Sequence, residues 1–130
     1  MYVINFSHPL TEDQKEQLNQ HLGLKEDPDA LNILDVRAQF DISQPFGPQV
    51  VALAGQVGLS PMEWQSERIV VLPPALAPAA ILMLAELHGR MGYYPPCIRL
   101  TQRPGSTPPV FDVAELLDLN QQRQEARKRR

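Results

Sequence analysis

The sequence predicts an α/β layer fold: a mostly parallel sheet of four to five strands with helices on both faces. Three observations carry that expectation. Apolar segments of strand length alternate along the chain with segments of helical length, which is the pattern of βαβ units. Ile69-Val70-Val71-Leu72 is a continuous apolar run, as expected of a strand covered on both faces. The first strand, Tyr2 to Phe6, passes through a short polar turn straight into a helix, the first half of a βαβ unit.

Each element follows from local chemistry. Thr11-Glu12-Asp13-Gln14 has the form of a capping box, so a helix is expected from Thr11 to about Leu22, ending at Gly23. Its sparse apolar stripe, Leu18 and Leu22, marks a surface helix. Lys25 to Ala30 reads as a polar loop. Asn32 to Phe40 alternates and is expected to be a half-buried strand. Gly47-Pro48 opens a second helix, with Val50, Val51, Leu53, Ala54 and Val57 inward and Gly58 at its end. Ser60-Pro61-Met62-Glu63 is another capping box, opening a short turn that carries Trp64. Pro73-Pro74 stops the strand of Arg68 to Leu72, and Pro78 opens a helix reaching about Met91. Cys97 to Thr101 is a fourth strand, and the Pro-rich stretch from Gln102 to Pro109 a hairpin tip. Val110 to Leu117 reads as an antiparallel edge strand followed by a helix from about Leu119, or Val113 to Arg130 as helix alone; periodicity leaves both open.

Composition bounds the function. The 130 residues suffice for one domain, placed at 1–122, with a basic tail at 123–130. Residues 1–122 carry 7 basic and 14 acidic groups, the tail 5 basic and 1 acidic. An acidic body argues against long duplex nucleic acid as a partner. The Arg/Lys tail reads as a solvated helix end. No apolar run reaches membrane-spanning length, the N-terminus lacks a signal-peptide pattern, and the lone Cys97 excludes an internal disulfide. A cytoplasmic protein is expected, with Cys97 buried and inert.

Neither a glycine-rich GxGxxG turn nor a Walker loop is present, which disfavours dinucleotide-cofactor and NTPase readings. His8, His21 and His88 have no metal-ligand spacing, so neither metal nor cofactor is expected. What remains is the carboxyl edge of the sheet, where α/β folds bind ligands. Ser7, His8, Thr11, Ser43 and Gln44 belong there. The helices opening near Pro48 and Pro78 have Gly47 and Ala77 where a polar cap would stand, leaving N–H groups for an anion or for water. Arg103 and Ser106, in the loop after the fourth strand, are further candidates. His88 and Arg90 end a helix, where His88 reads first as a partner of the helix dipole. Arg99, inside a strand, needs an anionic partner if buried. His8 reads equally as a phosphate ligand or general base and as a partly exposed turn histidine.

Several short stretches together resemble a known family. They are Asn5-Phe6-Ser7-His8-Pro9-Leu10-Thr11, Gln44-Pro45-Phe46, Leu76-Ala77-Pro78-Ala79-Ala80, Glu86 to Gly92, and Pro104-Gly105-Ser106-Thr107-Pro108. In these the chain is similar to the small Csx-type accessory family of type III CRISPR systems, the one numbered fifteen. The resemblance implies a CARF-like, Rossmann-like domain, usually a homodimer, that binds a cyclic oligoadenylate messenger, above all cyclic tetra-adenylate. It carries a binding role onto Ser7, His8, Thr11, Gln44 and the 86–92 helix end. Pro9, Phe46, Leu76 and Ala77 complete the expected site, with Phe46 and Leu76 against adenine. Sequestration of the messenger is the expected function. The alternative is a metal-independent ring nuclease with His8 as the candidate catalytic group; a protein-interaction module using the apolar helix that opens near Pro78 is a third possibility. Further assembly of dimers on the ligand is left open.

Overall fold

Alternation along the strands divides the core in two. In a computed structural model, which describes residues 1–24 and 31–130, Val3, Val70, Leu72, Ile98 and Val113 point to one face of a sheet and pack with Leu10 and Leu18. Ile4, Phe6, Ile69, Val71 and Cys97 point to the other, against Val50, Leu53, Ala54, Trp64, Met83, Leu87 and Met91. The first face is covered by α1 (Glu12–Leu22), the second by α2 (Phe46–Gln56), α3 (Pro61–Ser66) and α4 (Ala77–Met91). Between them lie β1 (Tyr2–Asn5), β2 (Asn32–Asp35), β3 (Ile69–Leu72), β4 (Cys97–Gln102) and β5 (Phe111–Leu117), in the order β2-β1-β3-β4-β5. The first four run parallel; β5 is antiparallel to β4. The fold is thus α/β with a mixed, mostly parallel five-stranded sheet, and of the two readings for the C-terminal stretch the edge strand followed by a helix is the one adopted.

Local signals do what the sequence suggests. In α1 the Gln14 N–H donates to Thr11 Oγ1 (3.1 Å) and the Thr11 N–H to Gln14 Oε1 (2.9 Å), and Gly23 ends the helix at φ 72°. Ser60 and Glu63 close the second box, and the Ser60 N–H and hydroxyl hold the Glu63 carboxyl below the usual carboxylate range. The final helix, α5 (Leu119–Arg127), is capped by Asp118 and crosses the compositional boundary at 122/123. Asn120 pins it by bonds to the Tyr94 N–H and C=O.

Three expectations are corrected. The second strand ends at Asp35, not Phe40, because a parallel ladder extends only as far as its partner and β1 is four residues long. After Val36 donates to Asn5 O, residues 37–40 leave the sheet. Val51 is 49% exposed rather than inward. The helix caps are Pro45 and Leu76, not Gly47 and Ala77; as expected, neither helix has a side-chain cap. The polar loop expected at 25–30 lies outside the described residues.

The α1 helix also closes one sheet edge. Gln14, Gln17 and His21 fall on one helical face. Gln14 Nε2 donates to Phe111 O (2.9 Å), Gln17 Oε1 accepts from the Val113 N–H (2.7 Å), and His21 Nε2 meets Val113 O at 3.2 Å. Side chains thus replace a neighbouring strand, a protection that unpaired edges need. Gln17→Ala is expected to cost about 1–3 kcal/mol by stranding a half-buried N–H. A urea melt checks it; an unchanged midpoint would mean that water replaces the amide.

Candidate functional site

The topology dictates where to look. From β1 the chain crosses by α1 on one face to β2; from β2 it crosses by α2 and α3 on the other face to β3. The loops leaving β1 and β3 therefore diverge to opposite faces, and the crevice between them is the usual ligand position in an open parallel sheet. A cleft of about 670 Å³ lies there. Ser7, His8 and Pro9 after β1, Asp35 to Phe40 after β2, and Pro74, Ala75 and Leu76 before α4 form its walls, with Phe6 at its base. Its volume is in the range of small-molecule sites.

One buried side chain shapes the wall. Asn5, 1% exposed, is in register with Asp35 on β2. Its Nδ2 donates to His8 O (2.8 Å) and to Asp35 Oδ1 (2.9 Å), and its Oδ1 accepts from the Ser7 N–H (2.8 Å). All these bonds are short and directed, so Asn5 ties the Ser7–Pro9 turn to the end of β2. The turn is held, not merely connected.

The electrostatics come from few groups. Arg37 lines the cleft, is exposed, and has no carboxylate partner among the described residues. At the cleft wall, α4 starts on Leu76 without a side-chain cap, so the first-turn N–H groups of Ala77 and Ala79 are not taken by a cap, and the helix dipole adds positive potential. Phe40 offers an aromatic surface backed by Phe46, ring centroids 5.2 Å apart and tilted by 52°.

The expected site residues divide accordingly. Ser7, His8, Pro9 and Leu76 come together in the cleft, with Ala77 adjoining Leu76 and Phe46 behind Phe40. Thr11 is occupied as the cap of α1. Gln44 is exposed in the loop before α2 and outside the cleft lining, as is Ser43, which is bound to Asp41 Oδ1. His88 and Arg90 lie roughly 16 to 20 Å beyond Ala77 along α4, from the rise of an α-helix. There His88 packs on the Tyr94 ring, and Arg90 pairs with Glu86 (2.7 Å) over the buried Trp64. Arg103 forks onto both Asp112 oxygens, and that guanidinium, with the Gln17 amide, holds the Asp112 carboxyl below its usual range. Ser106 braces the same hairpin through Arg103 O and the Val110 N–H. The structure therefore separates these four from the cleft lining.

Arg99 is exposed and paired with Glu115 across the β4–β5 ladder at 2.6 Å. Cys97 is buried, and desolvation pushes its thiol up to about 11, as suits an inert core residue. Among the described residues no group of three His, Cys, Asp or Glu side chains is placed to hold a metal ion, and no helix is long and apolar enough to cross a membrane. Asp35, Arg37 and Phe40 are among the cleft residues that sequence reasoning missed. The signal was the length of β1, which limits β2 to four residues and so delivers 36–40 to the carboxyl edge. Compared with protein-family models, with curated proteins and with solved structures, the chain matches none of them.

Proposed function

We propose that this protein binds a cyclic oligoadenylate, cyclic tetra-adenylate in the first instance, and sequesters it from type III CRISPR signalling. The observation that carries the reading is the cleft at the divergence of β1 and β3, where the Ser7–Pro9 turn, Arg37 and the uncapped start of α4 converge. Hydroxyl, imidazole, guanidinium and backbone N–H groups suit phosphate oxygens. Phe40 and Leu76 suit the faces of purines. In this reading the domain is CARF-like and Rossmann-like, and acts in the cytoplasm as a homodimer. A ring of four nucleotides has several times the bulk of a drug-sized ligand, so two clefts related by a twofold axis would share it.

A ring nuclease is the second reading, favoured by His8 and Arg37 lining one cleft. In that case the ribose 2′-oxygen attacks the adjacent phosphorus and the 5′-oxygen leaves, with His8 moving a proton and Arg37 stabilising phosphate charge.

One experiment separates the readings. Protein in excess is incubated with cyclic tetra-adenylate, its thermal midpoint is measured, and the nucleotide is chromatographed. Sequestration predicts a midpoint raised by several degrees and an intact ring. Linear product would replace sequestration by cleavage, and an intact ring without a thermal shift would remove both. His8→Ala is expected to retain the wild-type midpoint without ligand and to weaken binding about tenfold, the worth of one hydrogen bond to a charged group.

A further inference from the structure

The cleft contains a group that a purely phosphate-binding site would not want. Asp35 ends β2 beside Asn5, and its Oδ1 is taken by the Asn5 amide. Its second oxygen, Oδ2, has no hydrogen-bond partner among the described residues, and Asp35 is exposed on the cleft wall. A carboxylate there repels phosphate and rewards a donor. Because Asn5 is buried and fixed by two further bonds, the carboxylate is anchored through one oxygen. Arg37 follows two residues later on the same wall. An acceptor next to a cation matches the adjacency of a ribose 2′-hydroxyl to its 3′-phosphate. An adenine amino group, the other donor on such a ligand, lies at the far end of the base from the phosphate.

We infer that Asp35 is a specificity-determining residue that accepts a hydrogen bond from the ribose 2′-hydroxyl, so that the cleft selects ribonucleotides over deoxyribonucleotides. The inference rests on the nucleotide-binding reading of this cleft. The hydroxyl bonded to Asp35 Oδ2 distinguishes the two sugars because its loss leaves the carboxylate oxygen facing a methylene.

Calorimetric titration tests this with cyclic tetra-adenylate, its all-2′-deoxy counterpart, and AMP, 2′-deoxy-AMP and IMP as their 3′-monophosphates, which keep the phosphate beside the 2′ position. The wild type is expected to prefer ribose forms by about ten- to a hundredfold. Asp35→Ala should abolish that preference: it removes the acceptor and leaves no polar group at that position, whereas an Asn amide could still donate to the hydroxyl oxygen. Equal affinity of the wild type for ribose and deoxyribose forms overturns the inference, as does a preference retained in Asp35→Ala. Loss of affinity for IMP but not for 2′-deoxy-AMP also overturns it, by placing Asp35 at the base. Discrimination among mononucleotides without ring binding would sustain the role of Asp35 and refute the cyclic ligand. Ring binding without sugar discrimination would do the reverse, and failure of every ligand would refute both. The wild-type comparison needs no variant, so a folding defect in Asp35→Ala cannot protect the inference.

Discussion

Asn5→Ala is expected to lower stability by about 2–4 kcal/mol and to disorder the Ser7–Pro9 wall. The asparagine is 1% exposed and has three partners: the Ser7 N–H, His8 O and Asp35 Oδ1. Asp35 and His8 are exposed, so water recovers much of what they lose. Ser7 is half-buried, and its stranded N–H carries the larger penalty, about 1–3 kcal/mol. The truncated amide adds a small cavity. Chemical denaturation gives the stability, and ligand titration the condition of the wall. A variant as stable as wild type would show that the turn holds itself without the clamp.

Asn5→Asp separates geometry from donation. The substituted carboxylate still accepts from the Ser7 N–H, but it can no longer donate, and it faces Asp35 in the adjoining register position. Burial and the like charge both raise the folded-state pKa of the new carboxyl. A raised pKa means that the folded protein binds the proton more tightly than the unfolded chain. The variant is therefore least destabilised below the unfolded carboxyl value, about 4. Stability falls as pH climbs from there through the raised folded value. Wild type, with an amide at this position, lacks that loss. Parallel pH profiles would sink the argument.

The clamp shows which features the sequence carried openly. Strands and helices marked by local chemistry were readable one at a time: both capping boxes, the apolar run of β3, the glycine ending α1. The extent of β2 was not, because it depends on the length of a partner strand rather than on its own alternation. Alternation continues through Phe40 although the ladder stops at Asp35. Reading 36–40 as strand assigned Arg37 and Phe40 to sheet faces and so hid them from the cleft. The Ser7–Pro9 turn was readable because its position follows from topology alone.

Charge pairing obscured other residues. Arg103 resembles a free loop arginine until the hairpin register brings Asp112 opposite Thr101, within its reach. That pairing is a cross-strand relation, invisible to a scan of neighbours in sequence. His88 and Arg90 are a different case. Helical rise already separates them from the start of their own helix, so the distance was calculable before any coordinates. Membership of one helix does not place residues at one site.

The largest effect on binding is expected from Arg37→Glu. Arg37 is exposed and has no ion pair among the described residues, so its replacement should leave the melting midpoint within about a degree, as for most surface changes. Its worth is reserved for an anion in the cleft. A charge-assisted bond from a guanidinium to phosphate is worth about 1.5–3 kcal/mol, roughly ten- to a hundredfold in affinity. Reversal to Glu adds repulsion beside Asp35, so the total loss should exceed about a hundredfold. Arg37→Lys should recover part of it, since an ammonium keeps the charge but not the planar fork. Wild-type affinity should also fall as salt rises, and the Glu variant should lose that dependence. Titration of cyclic tetra-adenylate against all three proteins at two ionic strengths measures both effects. If Arg37→Glu binds as wild type does, the phosphate is held elsewhere, and the uncapped start of α4 becomes the next place to search.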